Sequence, residues 1–166
     1  MHFTARRPDS PVTDDLHRMI RLKSFPTDPE IDLRTLRLYR DAEVDGGLAF
    51  TLDEARAKFA ELRRYPSYRI FVAASNGITA GTYALILLDN LNKRGTPVGV
   101  IEDVAVLPEF QGQGIGRAMM LHAREECRRA GCYKMMLSSN VAREDAHRFY
   151  DSLGFERHGY SFRMQP

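Results

Sequence analysis

The sequence predicts a mixed α/β fold, and three observations predict it. Apolar residues recur at helical spacing through the first third of the chain. Three strand-forming runs follow, two of them joined by Asn76-Gly77. The last third then alternates helix and strand, which gives an α/β order of elements rather than an all-helical or all-strand one.

Phe3 to Arg6 is expected to form a short first strand. Leu16, Met19 and Ile20 recur at helical spacing, and Leu33, Leu36 and Tyr39 do so again, with Pro26 and Pro29 between them. Thr51-Leu52-Asp53-Glu54 is a capping box that opens a third helix through Ala55, Phe59 and Leu62, ending near Pro66. Tyr68 to Ser75 reads as a strand, Asn76-Gly77 as a hairpin turn and Ile78 to Leu88 as the partner strand. A polar loop, Asp89 to Gly95, precedes a third strand, Val98 to Leu107.

After Pro108 a glycine-bearing turn, Gln111 to Gly116, leads into a helix ending near Ala130-Gly131. Met120, Ala123, Cys127 and Ala130 share one face of it, so Cys127 reads as core packing. Tyr133 to Leu137 is a strand and Ala142 to Leu153 a helix stopped by Gly154. Phe155 to Met164 is expected to form the last strand.

Length and composition bound the function. The chain has 166 residues, 43% hydrophobic and 28% charged, which predicts one globular domain over residues 1–166. Lys plus Arg is 24 and Asp plus Glu 22, so the net charge of +2 gives no argument for a nucleic-acid partner. No apolar run is long enough to span a membrane, and the first residues lack a secretory pattern. Cys127 and Cys132 form no CxxC pair, and the histidines show no HxxxH spacing. These features predict a metal-free cytoplasmic protein.

The glycine turn is the first motif with chemistry in it. Glycines allow positive φ and close approach to bare backbone, and a helix start favours an anion. A phosphate or pyrophosphate is the natural guest. The Rossmann spacing needs glycine at position 117, which is Arg117. The P-loop needs Lys and Ser or Thr after its last glycine, where this chain has Arg117-Ala118.

What remains is Q-x-x-G-x-G at Gln111, Gly114 and Gly116, after a strand and opening a helix. Farther on stand Gly131-Cys132-Tyr133-Lys134 and Phe149-Tyr150-Asp151-Ser152-Leu153-Gly154-Phe155. In these motifs, spread across residues 98 to 163, the chain resembles the GCN5-related N-acetyltransferase (GNAT) superfamily. The resemblance implies a central, mostly antiparallel mixed sheet with a splayed strand pair and helices on both faces. It implies direct transfer of an acetyl group from acetyl-CoA to an amine in a ternary complex.

It also implies roles. Val104, Ala105 and Val106 would pair with the pantetheine arm of acetyl-CoA. The amides of Gln111, Gly112, Gln113, Gly114, Ile115, Gly116 and Arg117 would take its pyrophosphate. Tyr150 matches the family's helix tyrosine, near the coenzyme sulfur, where a phenol can protonate the leaving thiolate. Its other reading is a core aromatic beside Phe149. Asn140 would hydrogen-bond the pantetheine, cap the following helix, or both.

Glu102 and Asp103 lie side by side in an apolar strand. Strand neighbours point to opposite faces, so only one can face the acceptor unless a bulge intervenes. Glu102 is the expected base, directly or through water, or else one carboxylate orients the amine while the other makes a salt bridge. The run Ile101 to Val106, with the Cys132-Tyr133-Lys134 segment, looks most like the glucosamine-6-phosphate branch. Lys134 and Arg163 would then meet a phosphate or remain solvated cations. A protein or peptide amine, an aminoglycoside or a polyamine are alternative acceptors, and a non-catalytic acyl-CoA-binding module is an alternative class. Analogy with the family adds a homodimer through the last strands.

Overall fold

The structure is a computed structural model that describes residues 20–25, 36, 38 and 50–166. Five strands form one sheet in the order β1-β2-β3-β4-β5: β1 Ile20–Phe25, β2 Tyr68–Ser75, β3 Ile78–Leu88, β4 Val98–Val106 and β5 Lys134–Leu137. The first three pairings are antiparallel and β4–β5 is parallel. The described helices are α1 Leu52–Leu62, α2 Ile115–Arg129 and α3 Glu144–Ser152.

Local chemistry accounts for most boundaries. The Thr51 side chain accepts from the Glu54 amide at 3.3 Å, and Glu54 accepts from the Thr51 amide at 2.8 Å, completing the capping box of α1. Asn76 and Gly77 both take positive φ, 50° and 78°, which suits the tight turn between β2 and β3.

Helices cover both faces of the sheet. Phe59 and Leu62 of α1 pack with Ile70, Val72 and Ala84. On the other face α2 packs Met119, Met120, Ala123 and Cys127 over Phe71, Tyr83, Leu85 and Ile101. Cys127 is buried in that core, as its helical position predicts. Glycine permits the close approach of α2 at two points. A Cβ at Gly99 would overlap Cys127 Sγ, and one at Gly81 would stand 2.9 Å from Met119 Sδ.

Two expectations need correction. Ile20 opens β1, not a helix turn, and pairs with Ser75. The alternation Ile20-Arg21-Leu22-Lys23 is the strand signal that the wider helical spacing obscures. The second concerns Phe155 to Met164, which forms no strand. Its residues Tyr160, Phe162 and Met164 are 92%, 91% and 94% exposed. Alternation supplies the side-chain pattern, but a ladder also needs a partner strand, and none among the described residues pairs with this segment.

Smaller shifts have local causes. The third helix begins at Glu144 rather than Ala142, because Asn140 draws the Ala142 amide into a turn at 2.9 Å. The fourth predicted strand starts at Lys134, since the Tyr133 amide bonds Pro97 O instead. Leu36 and Leu38 are helical and buried. The expected strand at Phe3–Arg6 and the helical positions Leu16, Met19, Leu33 and Tyr39 lie outside the described residues.

Candidate active site

The site begins where two strands part. β4 and β5 run in register from Val98↔Lys134 to Ile101↔Leu137, and there β5 ends. β4 continues through Glu102, Asp103, Val104, Ala105 and Val106 with its other edge on β3. Among the described residues no strand covers the edge of these five that faces away from β3. Backbone groups there are open to an extended ligand, as an added strand would be.

That edge runs directly into the glycine loop. Pro108–Phe110 makes a short 3-10 turn and Gln111 returns to an extended conformation. Gln111 Nε2 donates to Val106 O at 3.1 Å, tying the loop to the end of the strand, and Gln113 Nε2 donates to Glu109 O at 2.8 Å. Gly112 and Gly114 take φ of 73° and 80°. Gly114 is the N-cap of α2 and offers no side-chain cap, and the Ala118 amide is the one that bonds Gly114 O. The amides of Ile115, Gly116 and Arg117 thus start the helix ahead of its first internal bond. Together with the helix dipole they can hold an anion. Gln111, Gly112, Gln113 and Arg117 are exposed, so the loop is open to a ligand.

Tyr150 is held beside this region by α3. Its neighbour Phe149 rests on the head of α2: a Cβ at Gly116 would stand 3.1 Å from Phe149 Cζ. The Tyr150 ring packs between Phe149 and Phe155, with centroids 5.2 and 5.5 Å away. Burial raises the Tyr150 pKa, against a smaller opposing effect of Arg143. The phenol is therefore a proton donor at neutral pH. Asn140 lies before α3 but is not its N-cap, which is Arg143. The capping expectation is therefore corrected. Asn140 Oδ1 accepts from Ala142, while the residue remains exposed.

The two carboxylates share a face because a bulge intervenes. Thr82 pairs with Ala105 and Ala84 with Glu102, so Asp103 and Val104 together oppose the single residue Tyr83. Asp103 has φ of 53°, the left-handed conformation that glycine usually supplies at such a bulge. Glu102 is in register with Ala84, and Ala84 with Ile70, which places Glu102 on the α1 face. The Tyr68 hydroxyl, from the same face, donates to Asp103 Oδ2 at 3.4 Å. Both carboxylates are exposed, yet the sheet removes part of their water. This desolvation raises the pKa of each; Asp103 raises Glu102 further, and the Tyr68 hydrogen bond pulls Asp103 back down.

Tyr68 is the contact that the sequence does not announce. It follows Pro66 and Ser67 and reads there as an ordinary strand aromatic. Lys134 lies at the other end of β5 from the point where the strands part, with its ammonium over the Tyr133 ring. Arg163 lies in the exposed C-terminal segment. The structure brings neither of these two to the carboxylates. Among the described residues no group of three His, Cys, Asp or Glu side chains is placed to hold a metal ion.

The pattern of the Acetyltransferase (GNAT) family matches residues 33–155, three-quarters of the chain and all of the site just described. The chain belongs to the GNAT acetyltransferase family. It is 34% identical over 110 residues to a glucosamine 6-phosphate N-acetyltransferase of Trypanosoma brucei brucei, covering 65% of this chain and 73% of that one. It is 35% identical over 97 residues to an aminoalkylphosphonate N-acetyltransferase of Salmonella typhimurium, covering 58% of this chain and 62% of that one. A solved structure from Agrobacterium tumefaciens superposes with a TM-score of 0.80 at 32% identity, over 88% of this chain and 99% of that one. The GNAT fold therefore holds for this chain, and acetyl-CoA is the acetyl donor of GNAT acetyltransferases.

Proposed function

We propose that the chain is a single-domain N-acetyltransferase that moves an acetyl group from acetyl-CoA to the primary amine of a small molecule by direct transfer. The observation that carries this reading is the open edge of β4 running into the amide-rich turn at Gly112–Arg117. One continuous track can pair an extended amide arm and hold phosphates at its end.

The chain's own groups meet the demands of the reaction. The edge at Val104, Ala105 and Val106 grips the donor's pantetheine arm, with Asn140 beside it. A backbone amide of that edge polarises the thioester carbonyl. Gln111, Gly112, Gln113, Gly114, Ile115, Gly116 and Arg117 take the pyrophosphate through their amides. Freeing an alkylamine at pH 7 from its usual pKa near 10 costs about 4 kcal/mol. Glu102, directly or through water, takes that proton while Asp103 attracts the ammonium. The nitrogen lone pair forms the new C–N bond, the C–S bond breaks, and the Tyr150 hydroxyl gives its proton to the departing thiolate; the extra proton left on the acylated nitrogen restores the phenol through water, and Glu102 releases its proton to solvent.

For the acceptor we propose an amine that also carries a phosphate or phosphonate, an amino sugar phosphate first. The acceptors named for the two relatives above support this class. The experiment is a competition of glucosamine 6-phosphate and an aminoalkylphosphonate against glucosamine, each with acetyl-CoA. The phosphorylated or phosphonated amines should show the higher kcat/KM, and preference for the uncharged sugar would contradict the acceptor class.

Two further features belong to this reading. Free Cys127 and Cys132 fit a reducing, cytoplasmic setting. Alternating, exposed Tyr160, Phe162 and Met164 fit a homodimer built through the last segment. Sedimentation should show a dimer that Tyr160→Asp with Phe162→Asp dissociates; a monomer at all concentrations would contradict it.

A further inference from the structure

We infer that Tyr68 is a positioning residue of the acceptor side: from β2 it reaches across β3 to hold the Asp103 carboxylate, so that Glu102 and Asp103 face one cationic amine together. The inference rests on the acetyltransferase reading for the identity of that cation.

The geometry is specific. Tyr68 and Asp103 are 35 residues apart in sequence and two strands apart in the sheet. The residue of β3 level with Glu102 on that face is Ala84, fully buried and small enough to leave a path across the strand. The start of β2 is itself tied down, by Tyr68 N to Tyr65 O at 2.9 Å and Leu87 N to Ser67 O at 2.9 Å. With the backbone fixed in this way, only the side-chain torsions remain to be ordered when the phenol meets its partner.

Asp103 has reason to need holding. A non-glycine residue at φ of 53° inside a strand is strained, and such strain concentrates at functional sites. The Tyr68 bond occupies Oδ2 and leaves Oδ1 for a second donor. Among the described residues, Tyr68 from β2 acts on Asp103, and Asp103 in turn acts on Glu102 beside it in the strand. No Lys or Arg among the described residues pairs with either carboxylate. Two carboxylates brought to one face by a bulge, one of them braced and neither paired with a cation among the described residues, form a site for a cation. Tyr68 cannot compete for the role of base. Burial, followed by the charge of Asp103, pushes its pKa up to about 12, so it stays a donor.

Tyr68→Phe tests the assignment. The hydroxyl favours the charged form of Asp103, so its loss raises the Asp103 pKa. The carboxylate is then lost earlier as pH falls. The acid limb of kcat/KM for the amine should move to higher pH. The KM for glucosamine 6-phosphate or an aminoalkylphosphonate should rise while that for acetyl-CoA holds. In an Asp103→Asn background the same substitution should add nothing, whereas a purely structural Tyr68 would add its loss again.

A direct measurement separates this inference from the proposed function. Carbon-13 NMR of labelled aspartate carboxyls should show Asp103 titrating at higher pH in Tyr68→Phe than in the parent. In Asp103→Asn, Tyr68 itself should titrate below its value of about 12 in the parent. Unmoved titrations of both groups would overturn the inference, whatever the turnover. Moved titrations with no amine acetylated would keep the brace and overturn the acetyltransferase reading.

Discussion

Gly114→Glu should abolish acetyl-CoA binding, with a loss of about 100-fold or more in affinity, about 2.7 kcal/mol. Two effects act together. Gly114 stands at φ of 80°, so any side chain there carries a conformational cost of about 1 kcal/mol. The larger effect is electrostatic. Gly114 is the N-cap of α2, and a carboxylate there would occupy the place where the free amides and the dipole meet an anion. Gly114→Ala separates the two, since it carries the backbone cost without the charge and should lose far less. Titration calorimetry with acetyl-CoA checks both variants, and a melting curve confirms that each is folded. Unchanged affinity in folded Gly114→Glu would remove the loop from the coenzyme site.

Tyr150→Phe should lower kcat by about 100-fold, the lower end of what a positioned general acid supplies. The KM for acetyl-CoA should change little, because the ring and its packing between Phe149 and Phe155 survive. The pH profile should change as well. Burial raises the phenol pKa above its ordinary value near 10, so on the alkaline side the parent enzyme should lose rate only at high pH, where the phenol ionises. That alkaline limb should be absent in Tyr150→Phe. Equal kcat in the two proteins would leave Tyr150 as a core aromatic.

The parts of the fold legible in the sequence are those fixed by local chemistry. Thr51 and Glu54 cap one helix by contacts three residues apart, and Asn76-Gly77 closes one hairpin through its own φ values. The glycine loop is legible for the same reason, since its conformation is written in the residues that adopt it.

What the sequence hides depends on partners far along the chain. Ile20–Phe25 is a strand because β2 lies beside it, 45 to 55 residues on. The tail from Phe155 has a strand's alternation and no strand to pair with among the described residues. The bulge at Asp103 is the sharpest case. Two adjacent carboxylates are visible as an oddity, but nothing local says that an aspartate will take φ of 53°. The reason is a register in which Thr82 and Ala84 pair on either side of it, and that register belongs to the whole sheet. Tyr68 is hidden likewise, because its role depends on what stands two strands away.

The most direct test of the proposed chemistry is free-thiol release from acetyl-CoA, followed across a panel of primary amines that includes glucosamine 6-phosphate. Release should depend on the amine, match the N-acetylated product mole for mole, and give intersecting initial-velocity lines, as direct transfer in a ternary complex requires. Tight binding of acetyl-CoA with no amine-dependent thiol release would contradict it.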